Sequence, residues 1–329
     1  MTPGRLAEVV RGDLVESRHE GHLVVLDADG SVLRSVGDPH ATIWPRSSLK
    51  PVQAVAMLRA GLEIDAAGLA LACASHSGQD EHLAVARRTL AAAGLIEEAL
   101  QNTPDLPLDP GAALAWQTAG GVASSITQNC SGKHAAMLAT CVAAGWETAT
   151  YRDPEHPLQL GVRSTVAELT GVPVEHVTVD GCGAPLLSTS VTGLARALGR
   201  IAAAPVREPG SPQARVALAM SGHPDLVGGR DRDVTAFLRA VPGLVAKDGA
   251  EGVYAAGLPD GSSVAFKVAD GSGRPRPAIL AAALDVLLEA GGADDRQRAA
   301  VRAVGATPVL GHGRPVGEVV ATVGEVRVA

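Results

Sequence analysis

Arg46-Ser47-Ser48-Leu49-Lys50-Pro51-Val52-Gln53 sets a serine and a lysine three residues apart. They open a segment that reads as a helix through Met57 to Ala60, with Gly61 as its stop. In a helix this spacing puts both side chains on one face. A neutral lysine amine there can take the serine proton and turn the hydroxyl into an acyl-transfer nucleophile. Ser48 is the neighbouring rival, but two residues from Lys50 it points elsewhere. Arg46 is suited to hold a substrate carboxylate through a bidentate pair; a surface salt bridge is its plainer alternative.

The chain of 329 residues has only four lysines, Lys50, Lys133, Lys247 and Lys267, among 28 Lys and Arg combined. Arginine stays protonated in proteins, whereas a buried lysine can act as a base, nucleophile or ligand. Lysines retained in an arginine-rich chain therefore point to chemistry. Lys133 lies in Asn129-Cys130-Ser131-Gly132-Lys133-His134 and Lys267 in Val264-Ala265-Phe266-Lys267-Val268, before Asp270-Gly271.

Working outward, Cys73-Ala74-Ser75-His76-Ser77-Gly78-Gln79 follows an apolar helix and offers further hydroxyls, or a polar turn capping the next helix. Cys130 and Cys182, the latter in Asp180-Gly181-Cys182-Gly183, would supply half of a tetrahedral zinc site. His134, Asp180, water or Lys133 are the open choices for the rest. Cys73 and Cys141 sit in Ala/Leu-rich runs and read as small core residues.

The ends of the chain read as strands and the middle as helix. Residues 21–37 form an expected hairpin. Helices are expected at 66–72, 81–93, 132–144, 158–170, 188–203, 212–220 and 231–240, with a loop over 205–212. Val177-Thr178-Val179, 244–246, 252–256, 263–268 and 319–328 read as strands, and 277–289 and 294–304 as helices. This is an α+β chain in which terminal segments share one sheet and the helical middle packs on it. One domain over 1–329 is expected, with a sheet-containing lobe of about 1–65 and 240–329 and a mainly helical lobe of about 66–239. Hydrophobic residues make up 46% and aromatics 2%, so Ala, Leu and Val must build the core. A net charge of −7 argues against a nucleic-acid or anionic-membrane surface. The charged first 20 residues and the short apolar runs lead us to expect a cytoplasmic protein.

Taken together, Arg46 to Gln53, Ser75-His76-Ser77-Gly78, Asn129 to Ala135, Asp180 to Gly183, Gly249-Ala250-Glu251-Gly252-Val253-Tyr254 and Lys267 to Gly271 resemble the thermolabile, rhizobial-type (class 3) L-asparaginase family. The blocks run in order over nearly the whole chain. The resemblance implies a fold like serine β-lactamases, penicillin-binding proteins and one glutaminase class, with a mainly antiparallel sheet. It implies hydrolysis of L-asparagine to L-aspartate and ammonia by two Ser–Lys tandems, Ser47 with Lys50 and Ser77 with Lys267. It also implies Zn2+ on Cys130, Lys133 and Cys182 with a water, substrate contacts from Arg46, His76, His134, Asp180 and Glu251, and a homodimer. Two positions depart from the family: Gln128 where His is expected, and Gln79 where an acidic residue is more usual. Lys247 is the weaker rival to Lys267, read as an ordinary charge near a substrate loop. A glutaminase, a β-lactamase-like acyl-serine hydrolase and a non-catalytic zinc-binding protein are the alternatives.

Overall fold

A computed structural model describes residues 2–323. Its strands are β1 (Gly4–Arg11), β2 (Leu14–Leu26), β3 (Val32–Val36), β4 (Thr42–Ile43), β5 (Val177–Val179), β6 (Pro185–Leu187), β7 (Thr189–Ser190), β8 (Val245–Asp248), β9 (Val253–Gly257), β10 (Ser263–Val268), β11 (Pro308–Gly311) and β12 (Arg314–Ala321). Its α-helices are α1 (Lys50–Arg59), α2 (Ala66–Ala72), α3 (Asp80–Ala92), α4 (Pro110–Thr118), α5 (Ser131–Ala144), α6 (Pro157–Thr170), α7 (Val191–Arg207), α8 (Pro212–Gly222), α9 (Pro224–Val227), α10 (Asp233–Ala240), α11 (Arg276–Ala290) and α12 (Asp295–Gly305).

The main sheet has eight strands in the order β11-β12-β1-β2-β10-β9-β8, with β3 also on β2. Every pairing in it is antiparallel. The architecture is thus α+β, with the sheet drawn from both ends of the chain and a helical middle. Its hinge is β2. The polar first half of β2 pairs with β1, and its buried second half, Leu23-Val24-Val25-Leu26, pairs with β10 and β3. At the crossover sits Gly21, where a Cβ would lie 2.0 Å from the Lys267 carbonyl oxygen. Any side chain there would push β10 off the sheet.

Strands β8 and β9 are buried at every position and β10 at all but Lys267, the pattern of a sheet covered on both faces. The helices packed on them are chiefly α7, α10 and α11. Helix α7 buries Leu194, Ala195, Leu198, Ile201 and Ala202, an i, i+3/i+4 stripe. Its backbone approaches the sheet so closely that a Cβ on Gly257 would lie 2.4 Å from the Leu198 carbonyl oxygen. Small residues at the seam replace aromatic bulk, and fully buried leucines would contribute about 2 kcal/mol each.

Several boundaries differ from the sequence expectation. Residues 4–11 and 14–20 are strand, two arms about the Gly12-Asp13 turn, with Leu6, Ala7 and Val9 buried and Arg5, Arg11, Glu16 and Arg18 exposed. Helix α7 runs through Pro205 to Arg207 instead of giving way to a loop. Pro205 sits in the last turn, where its missing N–H costs one hydrogen bond, and the Glu208 N–H still reaches the Ala204 carbonyl. The last strand begins at Arg314, paired with β11 as a hairpin, and the part of the expected strand beyond residue 323 lies outside the described residues. Helix α4 was not expected: its Asp109 cap accepts from the Ala112 N–H, yet it buries none of its own residues. Among the described residues no helix is long and apolar enough to cross a membrane.

Candidate active site

The Ser-x-x-Lys segment does not enter α1 directly. Residues Arg46–Leu49 form a 3-10 turn, and α1 starts at Lys50 with Pro51 in its first turn. The turn starts from a strained backbone, since Arg46 has φ +52°, a left-handed value that a bulky residue seldom adopts. Glu251 is held the same way, at φ +58°. Such strain persists only where the surroundings fix it, and it gathers at functional sites.

Lys50 is buried, and its Nζ donates to the Ala74 carbonyl, lies 3.1 Å from Ser75 Oγ and lies 3.1 Å from Cys130 Sγ. The expected Ser47–Lys50 hydrogen bond is absent. The Lys50 amine is instead drawn to the Ala74 carbonyl, Ser75 and Cys130. Ser47 is half-buried, and its hydroxyl makes no hydrogen bond among the described residues. Ser48 is fully buried and donates to the Lys247 carbonyl at 3.1 Å.

The expected Ser77–Lys267 tandem is likewise not formed. Lys267 lies at the partly exposed end of β10, where its Nζ donates to the Glu251 and Val268 carbonyls, each at 2.6 Å. Ser77 is packed against another segment, its N–H on the Gly228 carbonyl. A Cβ on Gly229 would come within 2.2 Å of Ser77 Oγ, and Gly229 has φ +130°, so only glycine fits that approach. The reason for the difference is the register of β10, which sets Lys267 opposite His22 and Val253, beside the Glu251 turn.

Lys247, by contrast, is completely buried on β8, and its Nζ meets the Asp248 carboxylate at 2.5 Å. Asp248 also takes Arg232 at 2.8 Å and Arg276 at 3.7 Å. Burial outweighs Asp248 and pushes the Lys247 amine down to about 8, with Lys50 and Arg232 adding to the shift. Burial opposes the charge of Asp248, but Lys247, Arg232 and Arg276 hold its carboxyl well below the usual range. Lys247 is therefore no ordinary surface charge. The Lys247-Asp248 dipeptide was the signal in the sequence, and Ser75 was visible in the loop that also carries Ser77.

Cys130, Lys133 and Cys182 lie close together. Cys130 caps α5 and Lys133 lies one turn later, while Cys182 arrives on the tight 180–184 turn. Lys133 Nζ is 3.2 Å from Cys182 Sγ, and all three side chains are buried. The hydrogen bond from Cys130, together with Lys133, lowers the Cys182 thiol to about 4. The same bond, with burial, raises Cys130 to about 12. Among the described residues no three His, Cys, Asp or Glu side chains form a metal-ligand group. The donor set fits zinc only with the Lys133 amine as third ligand, an N/S₂ set with one place left for water.

Next to it, Arg46 Nε donates to Asp180 Oδ1 at 2.7 Å. Burial works against the Asp180 charge, yet Lys133 and Arg46 keep its carboxyl below the ordinary value. The terminal guanidinium nitrogens of Arg46 make no hydrogen bond among the described residues. His76 proves to be a fastener: its Nδ1 accepts from the Gly78 N–H and its Nε2 lies 2.9 Å from Ser131 Oγ. Both ring nitrogens are spent inside the protein, so it is not presented to a ligand. His134 bonds Tyr151 Oη through Nδ1 at 2.7 Å, and its buried Nε2 has no partner among the described residues. Gln128 takes part in the same wall, accepting from the Cys130 N–H and from Asn102. Cys73 and Cys141 are core residues, as expected.

Several solved structures are similar to this chain, three of them as follows. Mglu, in its tris and glutamate form, shares 13% identity with a TM-score of 0.43, over 83% of this chain and 59% of its own. A candidate β-lactamase from Bacteroides dorei DSM 17855 shares 16% (TM-score 0.45, 82% of this chain, 93% of its own). A β-lactamase from Mycobacterium bovis shares 13% (TM-score 0.39, 82% of this chain, 94% of its own). The chain thus spans less than two thirds of the length of Mglu. A comparison with curated proteins gives no match. Residues 7–321, which include every side chain placed around Lys50, match the family model of L-asparaginase II, and the chain belongs to that family.

Proposed function

We propose that the protein hydrolyses L-asparagine to L-aspartate and ammonia through a serine hydroxyl activated by a buried lysine. The observation that carries this reading is the Lys50 amine, 3.1 Å from Ser75 Oγ, with the Arg46–Asp180 pair on the adjoining turn. In this reading Ser47, whose hydroxyl is uncommitted, attacks the side-chain amide carbon. Its proton passes to the Lys50 amine, with Ser75 as the relay once bound substrate draws the two hydroxyls together. The C–N bond breaks, ammonia leaves with the proton, and water then cleaves the β-aspartyl ester by the reverse relay. Lys247 replaces Lys267 as the second amine, because it alone of the two is buried and carries a carboxylate partner. The terminal nitrogens of Arg46 take the substrate α-carboxylate, and Asp180 takes the α-ammonium.

Cys130, Lys133 and Cys182 would hold zinc, which when bound supplies a positive charge that fixes the substrate's polar end. The same three side chains order the 180–184 turn, and with it Asp180. A homodimer and a cytoplasmic location belong to this reading; sedimentation of the purified protein tests the first.

The deciding experiment is ammonia release from Asn and from Gln by wild type, Ser47→Ala, Ser75→Ala and Ser77→Ala. Release from Asn that is lost in Ser47→Ala and Ser75→Ala but kept in Ser77→Ala supports the scheme. Full activity in Ser47→Ala overturns it, and a preference for Gln replaces asparaginase by glutaminase, a difference of one methylene worth about 1–3 kcal/mol.

A further inference from the structure

Behind the 46–50 turn lies a buried charge network of which the hydrolytic scheme uses only the Lys247 amine. Its centre is Asp248, 5% exposed, at the end of β8. Lys247 Nζ, Arg232 Nη2 and an Arg276 nitrogen reach its two oxygens. The network is tied to the candidate site at three points. Ser48 Oγ donates to the Lys247 carbonyl. A Cβ on Gly249 would lie 2.7 Å from the Pro45 carbonyl oxygen, so β8 touches the turn without a gap. Arg232 Nη1 reaches the Ser75 carbonyl at 3.4 Å, in addition to Asp248.

We propose that Asp248 and Arg232 are positioning residues: the carboxylate, clamped by Arg232 and Arg276, holds the buried Lys247 amine beside the Ser47–Ser48 turn, and Arg232 ties that carboxylate to the Ser75 loop. The part that concerns hydrolysis rests on the function proposed above. The charged and titratable groups around Lys247 are Asp248 on its own strand, Lys50 on α1, Cys73 after α2, Arg232 and Asp233 at the start of α10, Tyr254 on β9 and Arg276 on α11. Asp248 favours the ammonium form of Lys247, whereas Lys50 and Arg232 oppose it. The two positioning residues therefore act on the amine with opposite signs. A residue that merely fills space would not do so.

The scarcity of lysine makes a direct test possible. Protein labelled with 13C at lysine Cε gives signals for four lysines, and Lys247→Met identifies the one that matters. Titrating that signal in wild type, Asp248→Asn and Arg232→Gln should show a downward move of about one pH unit in Asp248→Asn. Arg232→Gln should move it upward, and Arg232→Lys should restore the wild-type value. Ammonia release from Asn, measured on the same samples, should shift its acid limb in the same two directions. Unmoved Lys247 signals, or shifts of the same sign in both variants, overturn the inference. If Asp248→Asn fails to fold, Arg232→Gln, a change at a partly exposed side chain, decides alone. If wild type releases no ammonia from Asn or Gln, the functional reading falls while the titration still decides whether Asp248 and Arg232 govern the amine.

Discussion

Lys247 and Lys267 flank the same strand. Lys247 pairs across β9 with Ala255, and Lys267 pairs with Val253 from the other side. Each lies at or next to the end of its strand, and each is followed by an acidic residue and a glycine within four positions. Their surroundings differ in every other respect. Lys247 is sealed between helix and sheet and faces a carboxylate that two arginines share. Lys267 rests on two carbonyls at the rim, half-screened by water. Burial drives both amines below the ordinary lysine value, but Lys267 is open to solvent and has Glu251 and Asp270 to support its charge. Strand position alone does not make a lysine chemical. What matters is whether helices cover it and which charges they bring.

Conservative replacement should separate the two most sharply. Lys50→Arg and Lys247→Arg should lower kcat/KM for Asn by about 10²–10⁴-fold, the usual worth of a general base, because guanidinium cannot release a proton. Lys267→Arg should stay within about threefold of wild type. Equal losses at 247 and 267 would break the distinction.

Metal content gives a second contrast. Lys133→Gln should lose bound zinc, measured by atomic absorption, and raise KM about tenfold or more through a misplaced Asp180 turn. Lys267→Gln should keep its metal. Retention of full zinc in Lys133→Gln would remove lysine from the ligand set.

The smallest effect is in stability against pH. The folded Lys247 amine titrates near 8, below its ordinary 10.5, so between these values the unfolded chain binds more protons than the folded one. Wild-type stability should therefore gain on that of Lys247→Met as pH rises from about 8 to 10.5, by no more than ~3 kcal/mol. The gain should vanish as pH falls through 8. Lys267→Met should keep most of that gain, because Lys247 is the more deeply buried amine, and denaturant melts over that range would show it.

Much of this was legible in the chain. The strand–helix–strand layout follows from where β-branched runs and Ala-rich helical runs fall. The convergence of Cys130, Lys133 and Cys182 followed from motif and resemblance. The places where the geometry departs from the expectation share a physical origin. Helical spacing pairs Ser47 with Lys50, but the 73–75 loop and Cys130, distant in sequence, offer the Lys50 amine closer partners. Lys267 was preferred for its strand position, yet whether a strand end is capped by helices depends on contacts from α7, α10 and α11, far away in sequence. The resemblance implies a substrate contact from His76; only the fold reveals that Ser131 and Gly78 occupy both its nitrogens.

The burial of Lys50, Lys133 and Lys247 leaves Lys267 as the sole lysine side chain that solvent reaches among the described residues. Amine-directed reagents, whether for attachment to a support, for polymer coating or for cross-linking, would thus act on the lysines at a single address. That address carries Glu251 beside it, on the rim of the candidate site. Conjugation through lysine would place its cargo at the doorway, so attachment elsewhere, through a cysteine introduced on the exposed α12, would be the chemistry of choice.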